Sequence, residues 1–159
     1  MNENNLEKII NNIVGDAIVK EVMSLKLAVK LIETVEEKAA ETGLAVVVAV
    51  SDASGRPIAV HCMDGAYHGS FDVAVNKTYT STAFQMSTAK LSRLCQPGQD
   101  LYGLQFSNNG KVMILGGGEP LMVGKTMIGA LGVSGGSAQE DSDLAAYGAS
   151  ALKEVIKCL

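Results

Sequence analysis

Short apolar runs joined by tight turns constrain this sequence more than any other feature. An apolar run over residues 45–50 is followed by turn-forming residues 51–55 and by a second apolar run, residues 57–63. So short a turn joins antiparallel strands, because parallel neighbours need a long crossover connection. Further strands are predicted over residues 111–115 and 126–133, where glycines between them break and turn the chain. The sequence therefore predicts a mostly antiparallel sheet.

Helical spacing of apolar side chains marks four other segments. They are residues 24–42, 70–84, 87–95 and the stretch that follows Ser137. Gly43 suits the left-handed residue that ends a helix, and Ser70 is a candidate N-cap. Ser137 and Glu140 form an S-x-x-E capping box at the start of the last helix. Helices interleaved with hairpins predict an α+β fold, in which helices pack on the sheet.

The N-terminal segment differs from the rest of the chain. Residues 2–16 place apolar side chains on one helical face and polar side chains on the other. We expect an amphipathic helix and linker over residues 1–20 and a single domain over residues 21–159. A helix of about four turns is marginal alone in water, so its apolar stripe must dock on another surface.

Composition and charge exclude several classes of protein. The 159 residues carry 13 Lys and Arg against 17 Asp and Glu, which gives a net charge of -4 and no basic face for nucleic acid. Three widely spaced cysteines indicate neither a disulfide framework nor a zinc site. The apolar runs fall short of the ~20 residues that cross a bilayer. We therefore expect a cytoplasmic protein with no nucleic-acid or membrane partner.

The mean hydropathy points to self-association. A value of +0.20 in a chain with 19% charged residues is high for a monomer of this size. It predicts that other copies cover part of the surface, as in a homo-oligomer.

A glycine-rich turn around Ser134 resembles a catalytic motif. Residues 132–136 match G-x-S-x-G and lie between a predicted strand and a predicted helix, as in a nucleophile elbow. That site needs a histidine after the serine, whereas His61 and His68 both precede it and no third histidine exists. No catalytic residue is predicted, and a strand-to-helix turn accounts for the motif.

The end of the second predicted strand concentrates potential ligands. His61, Cys62 and Met63 could each bind a soft metal or haem iron. Because side chains alternate along a strand, His61 and Met63 share one face, where they would suit the edge of a porphyrin slot. Cys62 points to the other face and is expected in the core. The alternative for His61 is a partly buried, hydrogen-bonded side chain.

A second candidate site lies in the loop before the helix predicted over residues 70–84. His68 could bind a metal there, and Tyr67 could stack on a planar ring. Backbone N–H groups at the start of the helix could bind a carboxylate. The sequence therefore offers His61 and His68 as metal ligands.

Five motifs occur in an order that resembles one family. They are Val-Ser-Asp-Ala-Ser-Gly at 50–55, Met-Asp-Gly-Ala at 63–66, Ala-Val-Asn-Lys-Thr-Tyr-Thr-Ser at 74–81, Gly-Gly-Glu-Pro-Leu at 117–121, and the glycine-rich run 128–136 followed by Asp141. Over residues 24–159 the chain resembles the GlcG/HbpS family. That family includes the C-terminal domain of PduO-type corrinoid adenosyltransferases.

This resemblance implies a profilin-like α/β/α domain, with a five-stranded antiparallel sheet flanked by helices. It also implies assembly into dimers or larger rings and, in several members, haem binding, whereas no established catalytic activity comes with it. Lys77 and Thr80 match family motif positions, which makes them candidate cofactor contacts. The family usually has an arginine near position 61, so His61 is a departure that adds a potential axial ligand.

The segment outside that domain carries a resemblance of its own. Residues 2–16 resemble encapsulation peptides, which carry cargo into bacterial microcompartments. This resemblance implies a microcompartment shell protein as partner. The alternative is a helix that packs on its own subunit or on a neighbouring one.

Together these observations predict a function. We expect an oligomeric protein that holds haem or a related tetrapyrrole, with His61 as the preferred axial ligand, His68 second and Cys62 third. The resemblance implies that the protein has an accessory role in cobalamin-dependent diol or glycerol metabolism in a microcompartment. Two alternatives are an auxiliary enzyme domain that acts on corrinoids or small aldehydes, and a structural assembly protein without a ligand.

Overall fold

The computed structural model describes residues 22–159, and the helix predicted over residues 2–16 lies outside this range. The helices are α1 (Leu25–Glu41), α2 (Ser70–Phe84), α3 (Thr88–Leu94) and α4 (Ala138–Lys157). The strands are β1 (Val47–Asp52), β2 (Pro57–Cys62), β3 (Gly118–Val123) and β4 (Thr126–Ser134). The α+β prediction is confirmed.

The strands form one sheet in the order β2-β1-β4-β3, and each neighbouring pair is antiparallel. The antiparallel prediction is confirmed, but the described residues form four strands, not the five that the family resemblance implies. β1 and β4 lie at the centre of the sheet, and β2 and β3 are its edges. Edge strands carry backbone groups without a partner strand, so these are the two sides where a ligand or another chain can approach.

The strand predicted over residues 111–115 is not part of the sheet. The N–H group of Met113 donates to Oγ1 of Thr80 at 2.8 Å, so this segment binds a helix side chain and not a neighbouring strand. β3 begins instead at Gly118, within the glycine run that the sequence predicts to break a strand. A Cβ atom at Gly118 would lie 2.6 Å from Cγ2 of Thr88, so only glycine lets β3 pass this close to α3.

Helices cover both faces of the sheet. α1 and α4 pack on one face and form the larger core, whose buried side chains include Leu31, Val35, Val48, Leu131 and Leu152. α2 packs on the other face over a small cluster of Val47, Ala49 and Ala74. Among the helices of residues 22–159, none has both the length and the apolar character that a membrane span needs.

The predicted helix ends agree with the structure at α1 and α4 and differ at α2. Gly43 follows α1 with a φ of 72°, and Ser137 and Glu140 make both hydrogen bonds of the capping box. Ser70, in contrast, is the first residue of α2 and does not cap it. Its Oγ atom accepts a hydrogen bond from Oγ of Ser134 at 3.2 Å. Ser70 therefore joins the start of α2 to the end of β4.

Candidate functional site

His61 lies on the edge strand β2, on the side that α1 covers. It pairs with Val48 in the sheet, and its Nδ1 atom lies 3.3 Å from the carboxylate of Glu36 on α1. The side chain of His61 is 36% exposed and that of Glu36 is 24% exposed. Within residues 22–159 the other ring nitrogen, Nε2, has no hydrogen-bond partner. His61 is thus held at one nitrogen and available at the other.

The potential ligands His61, Cys62 and Met63, at the end of β2 and just after it, do not converge on one point. Cys62 pairs with Val47 on the opposite face of the sheet from His61, and it is exposed, so the expectation that it lies in the core is wrong. Its thiol is exposed at the end of the edge strand β2. Met63 is partly buried against the core under α1 and α4, and its N–H group donates to the carbonyl oxygen of Val46 at 3.1 Å.

The loop between β2 and α2 presents aromatic side chains to solvent. Tyr67 is 74% exposed, His68 is exposed, and Phe71 is 45% exposed. The carbonyl oxygens of Tyr67 and His68 accept hydrogen bonds from the N–H groups of Ser70 and Phe71, which fixes the path of the loop into α2. Phe71 is the second residue of α2, and we call Tyr67, His68 and Phe71 together the aromatic loop. Helical periodicity assigns Phe71 to a packed side of α2, and for this reason sequence reasoning missed it.

Lys77 lies in the interior between α2 and α4, and its side chain is 1% exposed. Its Nζ atom donates to Oδ2 of Asp141 at 2.7 Å and to the carbonyl oxygen of Val133 at 2.6 Å. Oδ1 of Asp141 accepts from the N–H group of Gly136 at 2.9 Å. A cofactor could contact the Lys77 ammonium group only if these elements moved apart.

Thr80 is also enclosed, and its hydroxyl group has partners on two segments. The hydroxyl donates to the carbonyl oxygen of Asn76 at 2.7 Å and accepts from the N–H group of Met113 at 2.8 Å. These bonds attach residues 111–115 to α2. In this structure Thr80 therefore supports the fold, and it does not line a site next to His61.

Local sequence patterns do not reveal the packing partners of two residues that complete these contacts. Glu36 lies on the polar side of the helical pattern of α1, and nothing in that pattern shows that β2 passes beside it. Asp141 lies in the first turn of α4, where an acidic side chain is explained by the helix dipole. Only the packing of distant elements shows that Asp141 is buried against Lys77.

One hollow of the described surface lies beside β3, away from the candidate ligands. It has a volume of about 780 Å³ and lies at the opposite edge of the sheet from His61. His61, His68 and the other candidate ligands do not line this hollow. Within residues 22–159, no three His, Cys, Asp or Glu side chains group as a metal site. A ligand at His61 would therefore bind at the edge of β2, on the surface.

Comparison with protein families decides where the chain belongs. Residues 23–150 match the model of the HbpS-like family, described as haem degrading protein HbpS-like. The chain belongs to the HbpS-like family. Among proteins of similar sequence, an uncharacterized 15.0 kDa protein in the dhaT-dhaS intergenic region of Citrobacter freundii is 39% identical over 123 residues. Those residues cover 77% of this HbpS-like chain and 87% of the relative.

The corrinoid adenosyltransferase PduO of Salmonella typhimurium is a second relative, 39% identical over 109 residues. The match covers 69% of this chain and 32% of the adenosyltransferase, so the HbpS-like chain spans about a third of that protein's length. The resemblance read from the sequence motifs is confirmed by these matches.

Solved structures share the fold of this HbpS-like chain. The Klebsiella pneumoniae protein ORFY superposes with a TM-score of 0.80 at 36% sequence identity, and the match covers 82% of this chain and 90% of ORFY. The PduOC:heme complex superposes with a TM-score of 0.78 at 35% identity, with 82% of this chain and 94% of PduOC covered. A related domain has therefore been solved with haem bound.

Proposed function

We propose that this HbpS-like protein binds haem through the imidazole of His61. The contact between Nδ1 of His61 and the carboxylate of Glu36, at 3.3 Å, is the observation that carries the proposal. A metal-bound histidine usually donates its second ring N–H to a carboxylate or carbonyl, which orients the ring and makes the binding nitrogen more basic. With Nδ1–H donating to Glu36, Nε2 keeps its lone pair for an axial ligand bond.

The groups around His61 suit haem better than a bare metal ion. A lone imidazole with one carboxylate behind it is too small a ligand set for a protein-bound ion, whereas haem iron takes only one or two protein ligands. When bound, haem would supply a redox-active iron centre. His61 would hold the iron, and Glu36 would orient the His61 ring. The chain thus contributes one placed nitrogen and the surface around the edge of β2.

His68 is the second candidate ligand. It is exposed between Tyr67 and Phe71, two exposed aromatic rings that can stack on a planar tetrapyrrole. Cys62 is the third candidate, because its thiol is free and exposed at the end of β2. A thiolate ligand would give a distinct haem spectrum.

Met63, Lys77 and Thr80 hold the elements around the proposed site in place. Met63 packs on the core beneath β2, Lys77 ties α2 to α4, and Thr80 ties α2 to the segment before β3. We propose that these three residues affect haem binding by positioning β2 and α2, without direct contact in the arrangement described.

Haem titration of the wild type, His61→Ala and His68→Ala tests the assignment. The chain has no other histidine, so each variant serves as the control for the other. We expect His61→Ala to lose the Soret band of histidine-ligated haem and His68→Ala to keep it. An unchanged Soret spectrum in both variants would reject histidine ligation, and loss in His68→Ala alone would move the ligand to the aromatic loop.

Self-association is part of the proposal. Three large apolar side chains of the segment between α3 and β3 are exposed: Phe106 at 82%, Tyr102 at 63% and Leu115 at 50%. Exposed apolar side chains concentrated in one segment mark contact surfaces. Native mass spectrometry should give an oligomer for the wild type and a smaller species for Phe106→Asp. A wild-type monomer at micromolar concentration would contradict this part of the proposal.

We also propose a role beside cobalamin-dependent diol or glycerol metabolism in a bacterial microcompartment. Support comes from the similarity to PduO and from the amphipathic pattern of residues 2–16. Residues 1–18 fused to a fluorescent protein should form puncta in cells that make empty shells. The matched control is the same fusion with Ile9→Glu and Ile13→Glu, which removes the apolar stripe and should give diffuse signal. Diffuse signal from the wild-type fusion would end the targeting hypothesis.

A further inference from the structure

A hollow of about 780 Å³ lies beside the edge strand β3. Its walls come from β3, from the turn between β3 and β4, from the start of β4, and from the segment that joins α2 to α3. This volume lies within the range of small-molecule sites. Because His61 lies on the other edge of the sheet, a ligand in this hollow would be independent of the haem proposal.

Methionine side chains line much of this hollow. Met122 and Met127 are partners across the hairpin of β3 and β4, and Met86 comes from the segment after α2. These are three of the seven methionines in the chain. Methionine is flexible and apolar, and it adapts to irregular ligand surfaces. The hollow therefore offers an adaptable apolar wall.

Two lysines line the same hollow. Lys90 belongs to α3 and Lys125 to the turn between β3 and β4. Both are exposed, and neither ammonium group forms an ion pair within the described part of the chain. Glu119 is the carboxylate of the lining, and burial raises its pKa because desolvation disfavours the charged form. Two lysines against one carboxylate give the hollow a local excess of positive charge on a chain whose net charge is -4.

The backbone at the rim of the hollow is also unusual. Gln85 ends α2 with a φ of 52°, in the left-handed region that residues other than glycine rarely adopt. A left-handed residue is a common way for a helix to end, and here it places Gln85 at the rim where the chain turns toward α3.

We propose that the hollow lined by Met86, Met122, Met127, Lys90 and Lys125 binds a small organic anion with an apolar body. A carboxylate or phosphate group would pair with the lysine ammonium groups, while an aliphatic or flat apolar part would lie against the methionines. The same charges disfavour a cation with an apolar body, since two lysines and one carboxylate line the hollow.

Methyl NMR of protein labelled with [methyl-¹³C]methionine tests this assignment directly. Octanoate is the probe, since it combines a carboxylate with an aliphatic chain. We expect saturable shifts of the Met86, Met122 and Met127 methyl signals, whereas the signals of Met23 and Met113, which lie elsewhere, stay in place. Octylammonium, with the same chain and the opposite charge, should leave all these signals unmoved.

A variant without the two lysines and a matched control distinguish specific binding in the hollow from nonspecific hydrophobic binding. Lys90→Gln combined with Lys125→Gln should weaken octanoate binding by about tenfold or more. Arg93→Gln removes a positive charge from the same helix outside the hollow and should leave the affinity unchanged. The methyl signals of Met23 and Met113 report that each variant is folded. Equal binding by wild type and the double variant, equal response to octylammonium, or shifts spread over all methionines would overturn the proposal.

Discussion

The Nζ atom of Lys77 lies 2.7 Å from Oδ2 of Asp141, and these two side chains are only 1% and 5% exposed. The same ammonium group donates to the carbonyl oxygen of Val133, so one buried cation joins α2, β4 and α4. Burial lowers the pKa of Lys77 because desolvation disfavours the charged amine, and the contact with Asp141 opposes that effect. Loss of either partner would leave the other without its compensating charge in the interior.

A double-mutant cycle on this pair should show strong coupling. Lys77→Met and Asp141→Asn should each lower the free energy of unfolding by about 3–5 kcal/mol, because each leaves one unpaired buried group. The double variant should cost clearly less than the sum of the two. Urea denaturation of the four proteins measures this, and costs that add within about 0.5 kcal/mol would show that the two groups act independently.

Gly132→Ala should destabilise the protein through the contact between β4 and α2. A Cβ atom at this position would collide with the backbone carbonyl oxygen of Ala74, and helix backbone cannot turn aside as a side chain can. Overpacking of this kind costs about 1–3 kcal/mol. Gly69→Ala is the control, since a Cβ there meets no atom within 4 Å, and it should change the midpoint of thermal unfolding little. Equal midpoints of thermal unfolding for the two variants would contradict the close approach of β4 to the backbone of α2.

Glu119→Gln should stabilise the protein at neutral pH. Burial raises the pKa of Glu119 above its unfolded value, so the folded state binds this proton more tightly and loses stability as pH rises through the folded pKa. The gain should be under about 1 kcal/mol, because the carboxylate is only partly buried. This gain in stability should vanish at pH values below the pKa that Glu119 has in the unfolded chain. Urea denaturation at both pH values measures it, with Asp100→Asn, at an exposed position, as the control.

Glu36→Gln tests the positioning of the proposed haem ligand. The amide keeps the size of the side chain but loses the charge that holds His61 Nδ1–H, so haem affinity should fall by about 10–100-fold. The Soret band should also shift, which loss of packing alone would not produce. Glu37→Gln changes the exposed neighbour on the same helix and should bind haem as the wild type does. Equal affinities for these two variants would remove Glu36 from the site.

Elements with strong local patterns could be predicted from the sequence. The β1–β2 hairpin and the capping box at Ser137 follow from turn chemistry and side-chain spacing over a few residues. Residues 111–115 have the composition of a strand, but Thr80 binds their backbone from a helix 33 residues away from Met113. A local pattern cannot reveal that a distant side chain takes the hydrogen bond that a neighbouring strand would otherwise make.

The candidate site could be predicted only in part, for a similar reason. His61 stands out because of its residue type and its neighbours, whereas its partner Glu36 is 25 residues away and looks like an ordinary solvent-facing residue. Lys77 likewise reads as a surface cation until the packing of α2 against α4 buries it with Asp141, 64 residues away. Partners of this kind depend on tertiary packing, which side-chain periodicity does not encode.

Ligation of haem by His61 is tested most directly by imidazole rescue of the Soret spectrum. Haem is added to the wild type and to His61→Ala, and free imidazole is then titrated into the variant. We expect the wild-type Soret band to be lost in His61→Ala and restored by imidazole, which replaces the missing ligand in the space left by the side chain. A His61→Ala spectrum that matches the wild type before any imidazole is added would contradict the assignment.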